Sequence, residues 1–578
     1  MTTNSYILQL CDRLKSNDPS LISLNLSSLP LFEIAQTEIE SILGALVENQ
    51  SVIDLTLFLS DGIQNGKTAS LLKHYLGKSP CPLKSLSLSS VEMSSWQGLC
   101  DALKLNTSVK KLEVGTPASA LVMEDVYSLN QLACQQFAAA LATSEMDYLT
   151  VRRFHVESSG WPCFVKGLQT TKRLELQQIV FDACFFDNLV DWSKNLQELS
   201  IIQCSSKISG DAPTWAGPEN SCPLQLEKLR IVECKSHEFA SALRRLGSIG
   251  TLKEVDLRDN TMSDSIASKL AEWLTQQPSL EKLIVEGCDL SDAACCSILK
   301  ALGRHQGIAQ LNMKRNRFKG DPSNVLELPP NLKVLDLSEN TGLGDSSWIP
   351  SLIENNPHVV EWKLATISMS DEGLTNICTV IDRQGGISKI RVLDLGQTSV
   401  STTGLEALSF VLKKRLTSLT KINLASCGLG DDAMSNLAQS MKNHQSLIDV
   451  NLSYNPFGNA SCRILAEAAT TMPHLQSLGI AFGRFDTEGL QCFVSTLRDN
   501  PRLERIYFWT YASFGGETDE VEDQLNLWMQ MNQAGRRVIK DTIELNLFPI
   551  VLERASRRGG HQGLYYIIRE SVHLFGAD

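Results

Sequence analysis

The chain has 578 residues, of which 43% are hydrophobic and 20% are charged, and its formal net charge is −12 at pH 7. This is the composition of a folded globular protein, and its acidic balance argues against binding to nucleic acid or to an anionic membrane, because both need a basic surface. The first residues lack the basic start and apolar core of a signal peptide, and no apolar run of about eighteen residues could span a bilayer. We therefore expect a cytoplasmic or nuclear protein.

The first predicted element is an amphipathic helix between about Ser5 and Ser16. Its apolar residues Ile7, Leu10 and Leu14 recur at helical spacing among polar and charged neighbours. A long run of repeats follows, and the first repeat of such a run exposes its core unless another element covers it. We predict that residues 1–20 form an N-terminal helical cap.

The second feature is a six-residue pattern, Leu-x-x-Leu-x-Leu, that returns from Leu21 to the copy starting at Leu503. Clean copies begin at Leu252, Leu332 and Leu419. About eighteen copies occur, mostly about 24–31 residues apart, which is the period of a leucine-rich repeat. A fixed period of this size predicts that residues 21–516 form a solenoid.

The unit that begins at Leu419 shows the structure expected of each repeat. Leu419-Thr-Lys-Ile-Asn-Leu424 alternates apolar and polar residues like a half-buried strand. Gly430-Asp-Asp432 offers a helix start with acidic residues, and Leu437 and Met441 continue an apolar helical stripe. Stacked units give a parallel sheet with helices on the other side. Helices are wider than strands, so the predicted α/β solenoid curves into a horseshoe with its sheet on the concave face and its helices on the convex face.

One position, three residues after the last apolar residue of the hexapeptide, holds Asn or Cys in many repeats. Either side chain can point inward and satisfy backbone groups in the turn that leaves the strand, where an unpaired amide is costly. We therefore interpret these residues as a structural ladder rather than as ligands. Its members are Cys204, Cys234, Asn260, Cys288, Asn316, Asn340, Cys427 and Asn455.

With about 28 residues per unit, a helix in each, and Asn or Cys closing the hexapeptide, the chain resembles the ribonuclease-inhibitor subtype of leucine-rich-repeat proteins. The resemblance implies the horseshoe fold and a surface for protein partners. It leaves the role open, because the subtype includes inhibitors, GTPase activators, immune sensors and cytoskeletal regulators. The alternatives to a simple binding scaffold are therefore a small-GTPase regulator resembling Ran GTPase activators, or an innate-sensor-type recognition module.

Two regions are predicted to bind the partner. A Gly-, Pro- and Ser-rich insertion near residues 205–225 should project as a loop, with Trp215 as a candidate anchor. On the concave face of the later repeats, small residues such as Gly396 and Gly479 should leave a bare strip. The predicted binding residues on that face are Asn423, Asn451, Tyr507, Trp509 and Tyr511. The aromatic residues have an alternative role, which is to cover the last repeat beneath a C-terminal cap.

The last predicted element is a C-terminal helical cap over residues 517–578. Leu525, Trp528 and Met531 recur at helical spacing after the repeats end. The tail also resembles those of intracellular leucine-rich-repeat proteins of unicellular algae, in a segment at Asn532-Gln-Ala-Gly-Arg-Arg537 and a run ending at Glu570. The arginines of this tail are interpreted as solvated faces of the cap.

Motifs for chemistry are weak throughout. The sixteen cysteines include no Cys-x-x-Cys pair, and neither a His-Glu-x-x-His nor a Gly-x-Ser-x-Gly motif occurs. Residues 61–68 resemble a phosphate-binding loop, but Asp61 stands where its first glycine is required. We therefore predict a non-catalytic scaffold that binds a protein on its concave face, without cofactor, metal, nucleic acid, membrane or small-molecule substrate.

Overall fold

The computed structural model describes residues 3–26, 36–58, 66–78, 80–89, 93–115, 127–144, 146–182, 195–206, 225–234, 243, 246–320, 327–509, 520–536, 548–558, 564–565 and 568–569. The chain divides into two compact units, Met1–Cys288 and Asp289–Asp578. None of the helices in the described ranges has the length and apolarity needed to cross a membrane.

The first unit is built on a parallel sheet whose neighbouring strands are successive repeats. In spatial order these strands are β1 (Ser23–Asn25), β2 (Asp54–Phe58), β3 (Ser85–Ser89), β4 (Lys111–Gly115), β6 (Tyr148–Arg152), β8 (Arg173–Gln177), β10 (Glu198–Ile202), β12 (Lys228–Val232), β13 (Glu254–Asp256) and β14 (Lys282–Ile284). Its helices are α1 (Thr3–Lys15), α2 (Gln36–Glu48), α3 (Gly66–Leu76), α4 (Met93–Lys104), α5 (Gln131–Thr143), α6 (Trp161–Lys166) and α7 (Asp264–Leu274).

The first unit also contains a second parallel sheet that the repeat pattern does not predict. It consists of β5 (Tyr127–Leu129), β7 (Phe154–Val156), β9 (Val180–Phe181) and β11 (Ser205–Ser206). One or two residues separate β7, β9 and β11 from the ends of strands of the main sheet, and large buried aromatic side chains pack near these strands. Trp96 contacts Phe137 and Phe154, and Trp161 contacts Phe181 with ring centroids 4.9 Å apart. The added aromatic volume supports the extra strands.

From β16 to β22, the second unit alternates one strand and one helix with little variation. Its parallel sheet contains β15 (Gln310–Asn312), β16 (Val334–Asp336), β17 (Glu361–Lys363), β18 (Val392–Asp394), β19 (Lys421–Asn423), β20 (Asp449–Asn451), β21 (Ser477–Gly479) and β22 (Arg505–Tyr507). Its helices are α8 (Asp292–Leu302), α9 (Trp348–Asn355), α10 (Asp371–Arg383), α11 (Thr402–Lys414), α12 (Asp431–Met441), α13 (Asn459–Thr471), α14 (Thr487–Asp499), α15 (Glu520–Gln533) and α16 (Phe548–Arg558). The predicted α/β repeat architecture with a parallel sheet is confirmed.

The central strand residue of each repeat forms the core under this sheet. Leu393, Ile422 and Val450 are fully or almost fully buried, and residues on either side of them in the same strands are partly exposed. Register is one-to-one between neighbouring strands, with Leu393 opposite Ile422 and Ile422 opposite Val450. This alternation leaves one face of the sheet open to solvent.

Helix starts are tied to the preceding repeat by acidic side chains. Asp371, in the first turn of α10, accepts hydrogen bonds from the backbone N–H and hydroxyl of Ser401, the residue that caps α11. Asp431, in the first turn of α12, likewise accepts from Gly458 N at 2.9 Å and from the Ser461 hydroxyl. The acidic helix starts in the sequence thus also join neighbouring repeats.

Helices lie against both ends of the repeat series. α1 packs on α2, and Asn49 Nδ2 donates to the carbonyl oxygen of Leu14 at 2.7 Å. α15 packs on α14, and the backbone N–H of Ile506 in β22 lies 3.1 Å from Met529 Sδ. The cap boundaries at residues 20 and 517 stay predictions.

One residue of the C-terminal region differs from the sequence-based interpretation. Arg536 is not solvated but 2% exposed. Its guanidinium donates to the carbonyl oxygens of Leu497 (2.7 Å) and Arg498 (2.6 Å) and to Asn532 Oδ1 (2.8 Å), and it lies over the Trp528 ring. The carbonyls at the end of α14 attract this cation because helical C-termini carry partial negative charge.

Candidate functional site

The Asn and Cys ladder lies inside the repeats. Asn260, Asn340 and Asn455 are fully buried, and Asn316 is nearly so. Asn455 is representative: Nδ2 donates to the carbonyl oxygens of Leu424 and Leu452, both at 2.8 Å, and Oδ1 accepts from Cys427 N at 2.9 Å. Each such amide therefore joins its own turn to that of the preceding repeat.

The cysteines of the ladder are buried as well, and each lies within hydrogen-bond distance of backbone carbonyl oxygens. Cys288 Sγ lies 3.1 Å from Leu257 O, and Cys427 Sγ lies 3.3 Å from Leu395 O. Cys204 and Cys234 make similar contacts, to Leu176 O and Val232 O. Burial raises the pKa of Cys288 to about 12 and also raises the pKa of Cys427. Cys288 and Cys427 are therefore poor nucleophiles and poor metal ligands.

A second ladder of polar side chains lies on the open face of the second unit's sheet. Asp394, Asn423 and Asn451 occupy the last strand position of three successive repeats, and each accepts from the backbone N–H two residues later at 3.1–3.2 Å. Asn423 Nδ2 also donates to Asp394 Oδ1 at 2.7 Å. Two of the predicted binding residues therefore also hold the turns that end their own strands.

The prediction that small residues leave a bare strip on this face is wrong. Gly396 and Gly479 are buried, because the amides of the neighbouring ladder residues lean over them. A Cβ on Gly479 would lie 2.5 Å from Asn451 Oδ1, and a Cβ on Gly396 would lie 2.9 Å from Asn423 Nδ2. The small residues make room for these amides, so a partner would meet amide groups there rather than bare backbone.

A groove crosses this open face and has a volume of about 870 Å³. Its floor contains Asn423, Asn451 and Gly479. Tyr507, which is 52% exposed, lines the groove at the last strand, β22. One wall follows residues at the strand starts, and the other follows residues in the turns after the strands. The wall residues include Lys421, Asp449, Ser477 and Arg505 at the strand starts and Gln397, Ser426 and Tyr454 in the turns.

Three aromatic side chains stack in successive repeats beside this groove. Tyr454 and Phe482 lie with ring centroids 4.4 Å apart and planes 14° apart, and Phe482 and Trp509 lie 5.8 Å and 9° apart. All three are exposed, by 57%, 37% and 46% respectively. We name Tyr454, Phe482 and Trp509 the aromatic stack.

Sequence reasoning predicted Trp509 but missed Tyr454 and Phe482. Both have positive φ, 59° and 60°, and they occupy the turn position directly before the ladder position, which holds Asn455 in one repeat and Gly483 in the next. The same position has positive φ in most repeats of this unit and is usually polar there, as in Arg315, Glu339, Gln397 and Ser426. A large aromatic side chain is unusual in this backbone conformation, so aromatic residues at that position in two successive repeats are the signal that could have revealed the stack.

Some predicted site residues lie outside the described residues. These are Trp215 with most of the insertion loop, Tyr511, and residues 61–65 of the phosphate-loop-like segment. The alternative role for the aromatics, which is to cover the last repeat beneath the C-terminal cap, stays a prediction. The helix α15 contacts Ile506, while Tyr507 and Trp509 remain about half exposed.

The open face of the first unit's sheet is highly charged, but its charges pair with one another. Arg152 lies 3.3 Å from Glu113 and 3.7 Å from Glu175. Asp256, the last residue of β13, is only 6% exposed, because Arg258 folds onto its carboxylate with contacts as short as 2.7 Å. Such paired, mixed charges give this face a weak net field.

Ser128, His155 and Asp182 form a polar contact across the first unit's second sheet. Ser128 Oγ lies 3.3 Å from both His155 Nδ1 and Glu157 Oε1, and His155 Nε2 lies 2.7 Å from Asp182 Oδ1. A catalytic triad presents histidine Nε2 to the serine and Nδ1 to the carboxylate, which is the reverse of this ring orientation. We interpret the group as a clasp between β5, β7 and β9.

Comparison with known proteins supports the repeat assignment. The family model described as Leucine Rich repeat matches residues 251–271 and 415–438. The first segment contains β13 and most of α7, and the second contains β19 and most of α12. The chain therefore contains leucine-rich repeats.

Relatives of this chain include ribonuclease inhibitor of Sus scrofa, which is 23% identical over 379 residues, covering 59% of this chain and 82% of the inhibitor. NACHT, LRR and PYD domains-containing protein 5 of Bos taurus is 23% identical over 262 residues, covering 43% of this chain but only 23% of that protein. The chain thus spans most of the inhibitor and less than a quarter of the bovine protein. Among solved structures, a chain of the mouse RP105/MD-1 complex is similar with a TM-score of 0.45 and 14% sequence identity. The match covers 84% of this chain and 75% of that one.

Within the described part of this chain, no group of three or more His, Cys, Asp or Glu side chains could hold a metal ion. The groove and the aromatic stack are therefore the best candidate site that the described residues offer. Their chemistry is that of an interface: exposed aromatic rings, amides and a few charges.

Proposed function

We propose that this chain is a non-catalytic scaffold that binds a protein partner in the groove on the open face of the second unit's sheet. The observation that carries the proposal is the exposed aromatic stack beside a groove with a polar floor. Trp and Tyr side chains bury large areas at little entropic cost and are enriched among the residues that dominate binding energy. Exposed apolar surface that is rimmed by polar residues is typical of interaction sites.

The relatives support a protein partner. Ribonuclease inhibitor, as its name says, inhibits a protein enzyme, and the match covers 82% of its length. The role that we infer by this likeness is recognition of another protein, not catalysis. The partner of this chain need not be a ribonuclease, because repeat surfaces vary while the fold is retained.

The test begins with affinity purification of the full chain and mass spectrometry of what it retains. The dissociation constant of each retained protein is then measured for the native chain and for Trp509→Ala. Truncating an anchor residue costs about 2 kcal/mol, so we expect affinity to fall about thirtyfold. Phe410→Ala is the matched control, because Phe410 is 53% exposed on α11, on the helical side of the same unit.

A charge reversal in the first unit separates this proposal from docking on the charged repeats. The Arg173 side chain is 55% exposed in β8 and contacts Glu198 at 3.6 Å. We expect Arg173→Glu to bind normally. If Arg173→Glu abolishes binding while Trp509→Ala binds like the native chain, the site lies on the first unit and the proposal is wrong.

A further inference from the structure

The groove has opposite charges at its two ends. Lys421 Nζ and Asp449 Oδ2 lie 2.8 Å apart, so these two central charges neutralise each other. The other charged residues that line the groove are Asp394 in β18 and Arg505 in β22, and within the described ranges neither forms an ion pair. Lys363, which lies beside Asp394 in register, is directed to Asp336 at 3.7 Å.

The distance between these charges corresponds to a short extended peptide. β18 and β22 are separated by four strand-to-strand steps. At about 4.8 Å a step, the two ends lie about 19 Å apart. An extended chain advances about 3.3 Å per residue, so about six residues cover this distance.

The aromatic stack supplies an apolar contact near the positive end. Because Phe482 lies between Tyr454 and Trp509, both of its faces are covered and it offers its edge to a ligand, while each outer ring has one face covered by Phe482. Ring edges carry partial positive charge and favour apolar or sulfur-containing side chains, whereas a cation prefers a ring face. Tyr454 lines the middle of the groove after β20, two strands from both β18 and β22. Phe482 and Trp509 follow β21 and β22, so the stack extends from the middle of the sheet towards the strand of Arg505.

The floor offers a donor for a peptide backbone. Asn451 Oδ1 accepts from Ser453 N, and this bond leaves the Nδ2 group of the half-buried amide for a ligand carbonyl. Asn423 is less suitable, since its Nδ2 already donates to Asp394.

Building on the proposed function, we infer that the groove binds an extended segment of the partner that lies across the strands. A basic side chain of the segment pairs with Asp394, and an acidic side chain about six residues away pairs with Arg505. An apolar side chain next to the acidic one contacts the edge of the aromatic stack. The order of charges fixes the direction in which the segment lies.

The experiment is selection of peptides from a displayed library of random dodecapeptides against the immobilised full chain. Parallel selections use Arg505→Glu, Phe482→Ala and two matched controls, Lys413→Glu and Phe410→Ala. Both control positions are exposed on α11, away from the groove. Circular dichroism melting of each variant confirms that it is folded before selection.

We expect the native chain and both controls to select one pattern: a basic residue, then an acidic residue about six positions away, with an apolar neighbour beside the acidic one. Arg505→Glu should select a basic residue in place of the acidic one, and Phe482→Ala should bind the native-selected peptides about thirtyfold more weakly. The inference is overturned if no charge pattern is enriched, or if Arg505→Glu selects the same pattern as the native chain. In either case the proposed function still stands if Trp509→Ala weakens binding of a purified partner, and it fails if that variant binds normally.

Discussion

Replacing Asn340 by leucine tests the role of the buried amide ladder. Asn340 is fully buried, its Nδ2 donates to Leu337 O at 2.7 Å and Met313 O at 3.1 Å, and its Oδ1 accepts from Asn316 N at 2.9 Å. Leucine has the same branched arrangement of heavy atoms but can replace none of these bonds. Three backbone groups thus lose their partner, at about 1 kcal/mol each for the bond and more where the group stays unsatisfied.

We expect Asn340→Leu to lower the free energy of unfolding by about 3 kcal/mol. Urea denaturation followed by circular dichroism measures this change, provided that the slope of the transition is unchanged. Asn340→Cys is the informative comparison, because the chain places Cys427 at the same repeat position, where its thiol still donates to Leu395 O at 3.3 Å. The cysteine variant should lose less stability than the leucine variant. A leucine variant with the native midpoint would refute the assignment of the ladder as a set of essential backbone partners.

Three further predictions follow from buried or paired groups. The described cysteines are free and mostly buried, so the melting temperature should be unchanged by dithiothreitol; a large decrease would reveal a disulfide. Arg536→Met leaves the carbonyls of Leu497 and Arg498 without their donor and should lower the free energy of unfolding by about 2–3 kcal/mol, measured by urea denaturation. Hydrogen bonds from the Ser461 hydroxyl and Gly458 N–H hold the pKa of Asp431 below its ordinary 3.8. Its stabilising contribution is therefore present above that ordinary value and lost as pH falls through the lower folded pKa, so Asp431→Asn should lose less stability than the native chain between about pH 6 and about pH 3.

The repeat itself could be predicted because one physical rule fixes it. The apolar residues at the first, fourth and sixth positions of the hexapeptide must be buried, and this requirement determines where each strand lies and which face it buries. Leu393, Ile422 and Val450, at the fourth position, point inward as predicted. The second sheet of the first unit could not be predicted in this way. Its strands are short, and they depend on contacts such as that between Trp161 and Phe181, which come from different repeats.

The candidate site was predicted only in part, and the reason lies in backbone geometry. Outward positions on a strand follow from alternation, so Asn423, Asn451 and Tyr507 could be identified from the sequence. Tyr454 and Phe482 belong to turns, and which side of the sheet a turn residue borders depends on its φ. At φ of 59° and 60°, both rings stack beside the groove instead of following the strand alternation.

The glycines and asparagines on the open face mean something different in the sequence and in the structure. From sequence alone, Gly396 and Gly479 indicate free space. In the structure that space is filled by Asn423 and Asn451, which the neighbouring turns need as acceptors for their own N–H groups. A larger residue in place of Gly479 would push the Asn451 amide away and cost both the turn and the groove floor. The small residues of this surface are therefore required by the fold, whereas the aromatic stack has exposed rings that the fold does not need to bury. That difference is the physical reason to expect binding specificity to reside in Tyr454, Phe482 and Trp509 and in the charges at the ends of the groove.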